Sequence, residues 1–287
     1  MLQNKSLEAP VSLMYKTSRG KIKITTWTKS RIVITFTFLT LVLLTFIGFF
    51  TFDYKDLVLQ QAVVSTLENM KTMFLQPALH NFSLLEATYQ VGVTVGLAFL
   101  ATIIGAFFSF FIALFTAKNL STPWLSNTII VIIAFIRAVP TVLWVLIFAI
   151  AAGLGSEAAV LGMLLHTVSF LVKAFAESFE ELDQGVIEAL RASGANWWHI
   201  VTHAVLPTSI TSLISWTFLR FETNFTVAVA MGAAAGAGGI GFELFMSSSF
   251  YFDIQEVGFI TYAILAVALV LEITSTQLKK KFILSTK

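Results

Sequence analysis

The sequence predicts an all-α integral membrane protein with six transmembrane helices and both termini in the cytoplasm. Three observations carry this. Hydrophobic residues fill 57% of the 287 positions and charged residues only 12%, about half the charge of a soluble domain. The apolar residues gather into blocks near the roughly 20 residues that cross about 30 Å of hydrocarbon as helix. Membrane strands would be about ten residues long and would alternate in polarity, and these blocks do neither. Finally, Lys and Arg are unevenly shared among the connecting segments, which sets orientation. The formal net charge of +2 says little as a total. The partner implied by composition is the lipid bilayer, and no nucleic acid is implied. The chain has no cysteine, so disulfides and thiolate metal sites are excluded.

Residues 1–31 form a basic arm carrying Lys16, Arg19, Lys21, Lys23, Lys29 and Arg31. The first span, 32–52, follows. The pairing resembles a secretory signal, but the apolar stretch far exceeds the usual 7–15 or so residues and no small-x-small site follows. It reads as an uncleaved anchor. Segment 53–87 is external and contains an amphipathic run, 57–74, predicted to lie along the outer surface as a helix. A core of five spans occupies 88–278, with helices expected at 88–116, 128–151, 158–175, 210–232 and 257–278. Residues 279–287 form a basic tail with Lys279, Lys280, Lys281 and Lys287. Lys118 and Arg191 mark the inner loops. The outer loops hold only Lys55 and Lys71, with none near 153–157 or across 233–256.

Within the third span Pro140 must kink or break the helix. Gly153, Gly155 and Gly162 suit tight turns and close helix approach. The glycine-rich stretch 232–241 has no following Lys and sits at the outer end of a span, so it is not a phosphate loop. No Gly-x-x-x-x-Gly-Lys-Ser/Thr motif occurs anywhere, and no soluble segment is large enough for an ATP site. Gly236, Gly238, Gly239 and Gly241 read instead as a re-entrant or gate element, tolerable only against protein or water.

The longest inner loop, 183–207, is an amphipathic helix–turn–helix. Asp183 is a predicted N-cap, with Val186, Ile187 and Leu190 on one face and Glu188 and Arg191 elsewhere. Gly194 supplies the turn. Asn196 caps a second helix with an apolar stripe of Trp197, Ile200, Val201 and Ala204. Pro207 is expected to separate this helix from the next span. The stripe is expected to be exposed, resting either on lipid headgroups or on a protein partner. His199 and His203 are four apart, a metal-compatible spacing, but no third ligand accompanies them. They read as surface residues of the loop.

Charges within spans are costly and face a cavity or a partner. Lys173 and Glu177 are four apart and should pair. Arg220 and Glu222 are two apart, so each must reach another helix or a second subunit, with Asn224 nearby. His166 is expected to hydrogen-bond across helices. Arg137 and Arg220 either hold helices together or meet an anionic cargo, since guanidinium forks suit oxyanions.

The loop resembles the EAA loop of ABC importer permeases. That pattern is Glu-Ala-Ala, three residues, Gly, nine residues, Ile-x-Leu-Pro. Glu188, Ala189, Gly194, Leu206 and Pro207 fall in register without a gap. Leu190 stands for the third position and Ala204 for the Ile, both apolar. Arg137-Ala138-Val139-Pro140 before Trp144, the 172–177 segment around Lys173 and Glu177, Arg220-Phe221-Glu222, and the 236–244 run resemble the phosphonate/phosphite-type permeases. Together they cover roughly 86–281. The glycine run is also similar to methionine-type permeases.

The resemblance implies a type I-like permease whose 183–207 loop docks, as a coupling helix, on an ATP-binding subunit. It implies two copies of that ATPase, which bind ATP and Mg, an extracytoplasmic substrate-binding protein, and a second permease chain as a homodimer. This chain itself would hold no cofactor and no metal, and would be no enzyme. The cargo implied is phosphonate or a related phosphorus oxyanion. The rivals are a methionine- or amino-acid-type permease, an ion-gradient-driven transporter, and a membrane protein with no transport role.

Overall fold

The computed structural model describes residues 14–16, 22–24, 29–51 and 58–284. Arg19, Lys21, Lys55, Lys287 and the start of the outer amphipathic run lie outside the described residues. The chain divides into two units, Met1–Val63 and Val64–Lys287.

In the first unit, strands β1 (Met14–Lys16) and β2 (Ile22–Ile24) pair antiparallel with Met14 opposite Ile24. Apart from this short pair, the regular structure of the described residues is helical, as the sequence predicts. Helix α1 (Lys29–Thr51) follows, and none of its side chains is buried. Helix α2 (Leu59–Leu75) crosses the boundary between the units.

In the second unit, α3 (Leu84–Thr116), α6 (Ser156–Glu180) and α9 (Leu206–Ala235) form the centre. Around them lie α4 (Pro123–Ala138), α5 (Thr141–Ala152), α10 (Ile240–Ser249) and α11 (Ile254–Leu284). Ser83 caps α3, accepting from the Glu86 N–H at 3.2 Å, as a Ser-x-x-Glu start favours. Among the described residues, four helices are long and apolar enough to cross a membrane, and up to six spans result if each bent pair counts as one.

The expected third span is one such pair. It begins at Pro123, where a missing N–H costs nothing, and bends by 86° between α4 and α5. Pro140 cannot donate to the carbonyl of Ile136. The indole N–H of Trp144 donates to it instead, at 3.0 Å, so the break leaves no orphaned acceptor there.

The other pair is α9 with α10, bent by 51° at the glycine run. Gly239 has φ +77, and its N–H donates to Gln90 Oε1 at 3.0 Å. The next N–H, of Ile240, donates to Thr94 Oγ1 at 2.9 Å. The bend is thus tied to α3. A Cβ on Gly241 would collide with the Val229 carbonyl, so only glycine lets α10 fold back this closely on α9. Gly241→Ala should therefore force the two helices apart and cost about 1–3 kcal/mol. A thermal melt in detergent checks this, and an unchanged midpoint would contradict it.

Two apolar clusters fill the bundle. One lies at the end that carries the 183–207 loop, with Leu114, Leu171, Phe175 and Phe179 at its centre. The other holds Ala98, Val145, Met163, Phe225 and Met231. Along α3, α6 and α9 the residues between the clusters are polar: Thr102, Thr167, Arg220 and Asn224, all buried.

Candidate functional site

The 183–207 loop folds as helix–turn–helix. Asp183 Oδ1 accepts from the Gly185 N–H at 2.7 Å and starts α7 (Gln184–Ala192). Gly194 turns the chain at φ +85, and the Ala195 N–H closes on the Leu190 carbonyl at 3.0 Å. Asn196 Oδ1 then accepts from the His199 N–H at 2.9 Å and starts α8 (Trp197–Ile200). Both caps and the turn stand where the sequence puts them.

Two features differ from expectation. Pro207 does not separate the loop from the next span. A π turn over Val201–Val205 carries the helix straight into α9, with the Leu206 N–H reaching back to the Val201 carbonyl. The widened turn relieves the clash between a proline ring and the carbonyl four residues earlier.

The apolar stripe is also not the exposed face. Ile187, Ile200, Val201 and Val205 are buried among Leu114, Leu120, Phe175 and Phe179. Trp197 stacks on Phe115 at 5.7 Å and donates to the Leu120 carbonyl at 3.0 Å. The stripe fixes the loop rigidly to the ends of α3 and α6. Of the predicted docking residues, Glu188, Ala189, Gly194 and Pro207 are exposed, while Leu190 and Leu206 are half-buried against the cluster. The free surface also includes Val186, Trp198, His199 and His203, with Trp198 56% exposed.

The intramembrane charges separate into two places. Arg220 is 6% exposed. Its Nε donates to Thr167 Oγ1 at 3.2 Å, and its guanidinium carbon sits 5.4 Å from the Phe170 ring centroid. Asn224 Nδ2 donates to Thr102 Oγ1 at 2.8 Å and to Thr167 Oγ1 at 2.9 Å. This cluster bolts α3, α6 and α9 together. Glu222 is half-buried and makes no ion pair among the described residues. The expected cross-helix bond of His166 is not formed there either, and its Nδ1 is buried without a partner.

Arg137 stands apart from that cluster. It is exposed and lines a cavity of about 310 Å³ between α4 and α6, together with Lys118, Lys173, Glu177 and Glu180. Lys173 and Glu177 pair at 3.6 Å, as their spacing requires.

At the opposite end of the bundle lies a group that sequence reading missed. Glu256 is 0% exposed. Its carboxylate accepts from the N–H groups of His80 and Asn81 at 3.2 and 2.9 Å, and from Asn81 Nδ2 and Ser247 Oγ, each at 2.8 Å. Tyr262 also donates its hydroxyl to the Phe74 carbonyl at 2.8 Å. The end of α2 and the segment after it are thereby pinned to α11, and through Glu256 to the end of α10. The signal was Asp253-x-x-Glu256, a helix-start pattern. Asp253 Oδ1 accepts from the N–H groups of Gln255 and Glu256 at 3.1 and 3.0 Å.

Burial pushes the Asp253 carboxyl up, but these N–H groups and the His80 ring together hold it below the ordinary carboxylate value. A depressed carboxylate stabilises above its unfolded value of about 3.9 and loses that contribution as pH falls through the depressed one. Proteolysis of the 76–83 segment should therefore stay constant from neutral pH to about 4 and rise only below it. A rise near pH 6 would contradict this.

The comparisons with known proteins bear on this arrangement. The model of the family described as binding-protein-dependent transport system inner membrane component matches residues 109–282. The chain belongs to this family. The permease is 36% identical over 190 residues to the phosphite transport system permease protein PtxC of Stutzerimonas stutzeri, covering 66% of this chain and 68% of that one. It is 32% identical over 195 residues to the phosphate-import permease protein PhnE of Mycolicibacterium smegmatis, covering 66% of this chain and 36% of that one. Its fold is similar to the inward-facing MetNI methionine ABC transporter, with a TM-score of 0.63 at 18% identity over 71% of this chain and 99% of that one. The permease is a multi-pass inner-membrane transport subunit and not an enzyme. Its partners as a class are an ATPase, a substrate-binding protein and a further permease chain.

Proposed function

We propose that the permease carries a phosphonate or a related phosphorus oxyanion across the membrane by alternating access, driven by ATP that a separate chain hydrolyses. The observation that carries the cargo class is the extent of the likeness to the phosphite permease, two thirds of both chains. A methionine permease matches less of the chain, 39% of it against 66% for the phosphite permease, so an amino acid is the second reading. Family membership sets aside an ion-gradient-driven carrier.

The mechanism follows from how the loop is built. Its buried stripe makes α7, α8 and the start of α9 one body with the ends of α3 and α6. A push on the exposed face is then transmitted to the bundle rather than absorbed in the loop. Two ATPase copies, binding ATP and Mg between them, would each hold one loop, which calls for two permease chains as a homodimer. Closure of the ATPases would open the pathway towards the external binding protein, and hydrolysis would return it inward. On this reading the loop and both termini lie in the cytoplasm, in keeping with Lys118, Arg191 and the basic arm and tail.

Arg220 and Asn224 hold the central helices, while Arg137, beside the α4–α5 break, is exposed and is a cation placed to meet cargo. Gly236, Gly238, Gly239 and Gly241 form the bend of a gate at the other end.

Uptake of labelled methylphosphonate by cells expressing the permease with its ATPase and binding protein tests the cargo. Competition by phosphate or phosphite and none by methionine is expected. Competition by methionine alone would overturn the cargo class.

A further inference from the structure

The cavity between α4 and α6 carries more than a route. It is lined by three cations, Lys118, Arg137 and Lys173, against two carboxylates, Glu177 and Glu180. The carboxylates are engaged. Glu180 Oε1 accepts from the backbone N–H of Lys118 at 2.8 Å, and Glu177 pairs with Lys173 at 3.6 Å. The guanidinium of Arg137 and the ammonium of Lys118 have no partner among the described residues. Three other cavities of the bundle are lined by no Lys or Arg.

Three cations against two carboxylates leave the lining with a net charge of +1, a surplus beside an apolar wall that an anion would answer. That wall is α4's Ile130, Ile133 and Ala134. The volume of about 310 Å³ lies at the lower end of small-molecule sites, about 300–1,000 Å³. A guanidinium fork and two ammonium groups are the donors that tetrahedral phosphorus oxyanions take.

We propose that this cavity is a binding site for a phosphorus oxyanion group, held by Arg137, Lys118 and Lys173. Two sources share that chemistry: the free anion, as cargo on its way out, and the phosphate of an anionic phospholipid with its chain along the α4 wall. Only the first source rests on the cargo reading above. The position gives the site its consequence. Glu180 ends α6 just before the docking loop, and Arg137 lies just before the break at Pro140. An occupant therefore touches both the base of the loop and the bend of the broken span.

The test uses the permease with its ATPase partner in nanodiscs, of phosphatidylcholine alone or with added phosphatidylglycerol. Equilibrium binding of labelled inorganic phosphate is measured in the first, and retention of phosphatidylglycerol by mass spectrometry in the second. Arg137→Gln and Lys118→Gln should weaken whichever ligand binds by about tenfold. Glu177→Gln frees Lys173 and should strengthen it several-fold, a gain that misfolding cannot produce.

Phosphate bound in neutral discs with this pattern supports the free-anion source. Phosphatidylglycerol retained with this pattern, and no phosphate bound, supports the lipid source. Binding of neither, or binding indifferent to all three substitutions, overturns the site. Methylphosphonate uptake by the same complex is scored separately. Uptake without a bound anion or lipid sinks the site and leaves the cargo reading standing. Lipid retention without uptake does the reverse.

Discussion

Ala189→Arg should reduce ATP-driven uptake by roughly tenfold or more while membrane abundance and thermal stability stay at wild-type levels. Ala189 is exposed on α7, two residues from Ile187, which is 0% exposed. Two helical steps place the side chains about 200° apart, so the new side chain points away from the core cluster. The fold loses nothing. What changes is the face proposed to meet the ATPase, where a long cation would fill the space of a methyl group. The alternative for this face is contact with lipid headgroups. There an added Arg would strengthen attachment to an anionic leaflet, and uptake would be unchanged. Unchanged uptake therefore contradicts the docking role.

Arg220→Ala should lower abundance and transport together. The substitution removes a hydrogen bond to Thr167 and a cation resting on Phe170, and opens a void beside the Thr102–Asn224–Thr167 cluster. The combined cost is about 2–4 kcal/mol. Transport divided by the amount of permease in the membrane should stay within about twofold of wild type. Loss of transport at full abundance would move Arg220 out of the structural cluster and into the cargo path.

The two substitutions show what the residues themselves disclosed. Asp183, Asn196 and Gly194 were legible because capping and positive φ are local: each depends on a few neighbouring atoms. The break at Pro140 was legible for the same reason. The direction of the Trp197–Ala204 stripe was not. An amphipathic helix has an apolar side in either case, and only the approach of Phe175 and Phe179 from α6 decides that this side faces inward. Pro207 misled because the usual penalty assumes an α-helical register, and the π turn supplies another. Arg137 and Arg220 looked equivalent in sequence. Burial separates them, through the pairing of Arg220 with Thr167, 53 positions away. Glu256 was hidden similarly, since its partners His80 and Asn81 lie 176 and 175 positions away in the sequence.

The central claim is that a separate motor drives this permease through the exposed face of the 183–207 loop. Purified permease reconstituted into liposomes with its ATPase and binding protein tests it most directly, with labelled methylphosphonate uptake as the readout. Uptake should require ATP, stop when the ATPase is left out, and be indifferent to collapse of the proton gradient. Uptake that follows the proton gradient and survives removal of the ATPase would contradict the account.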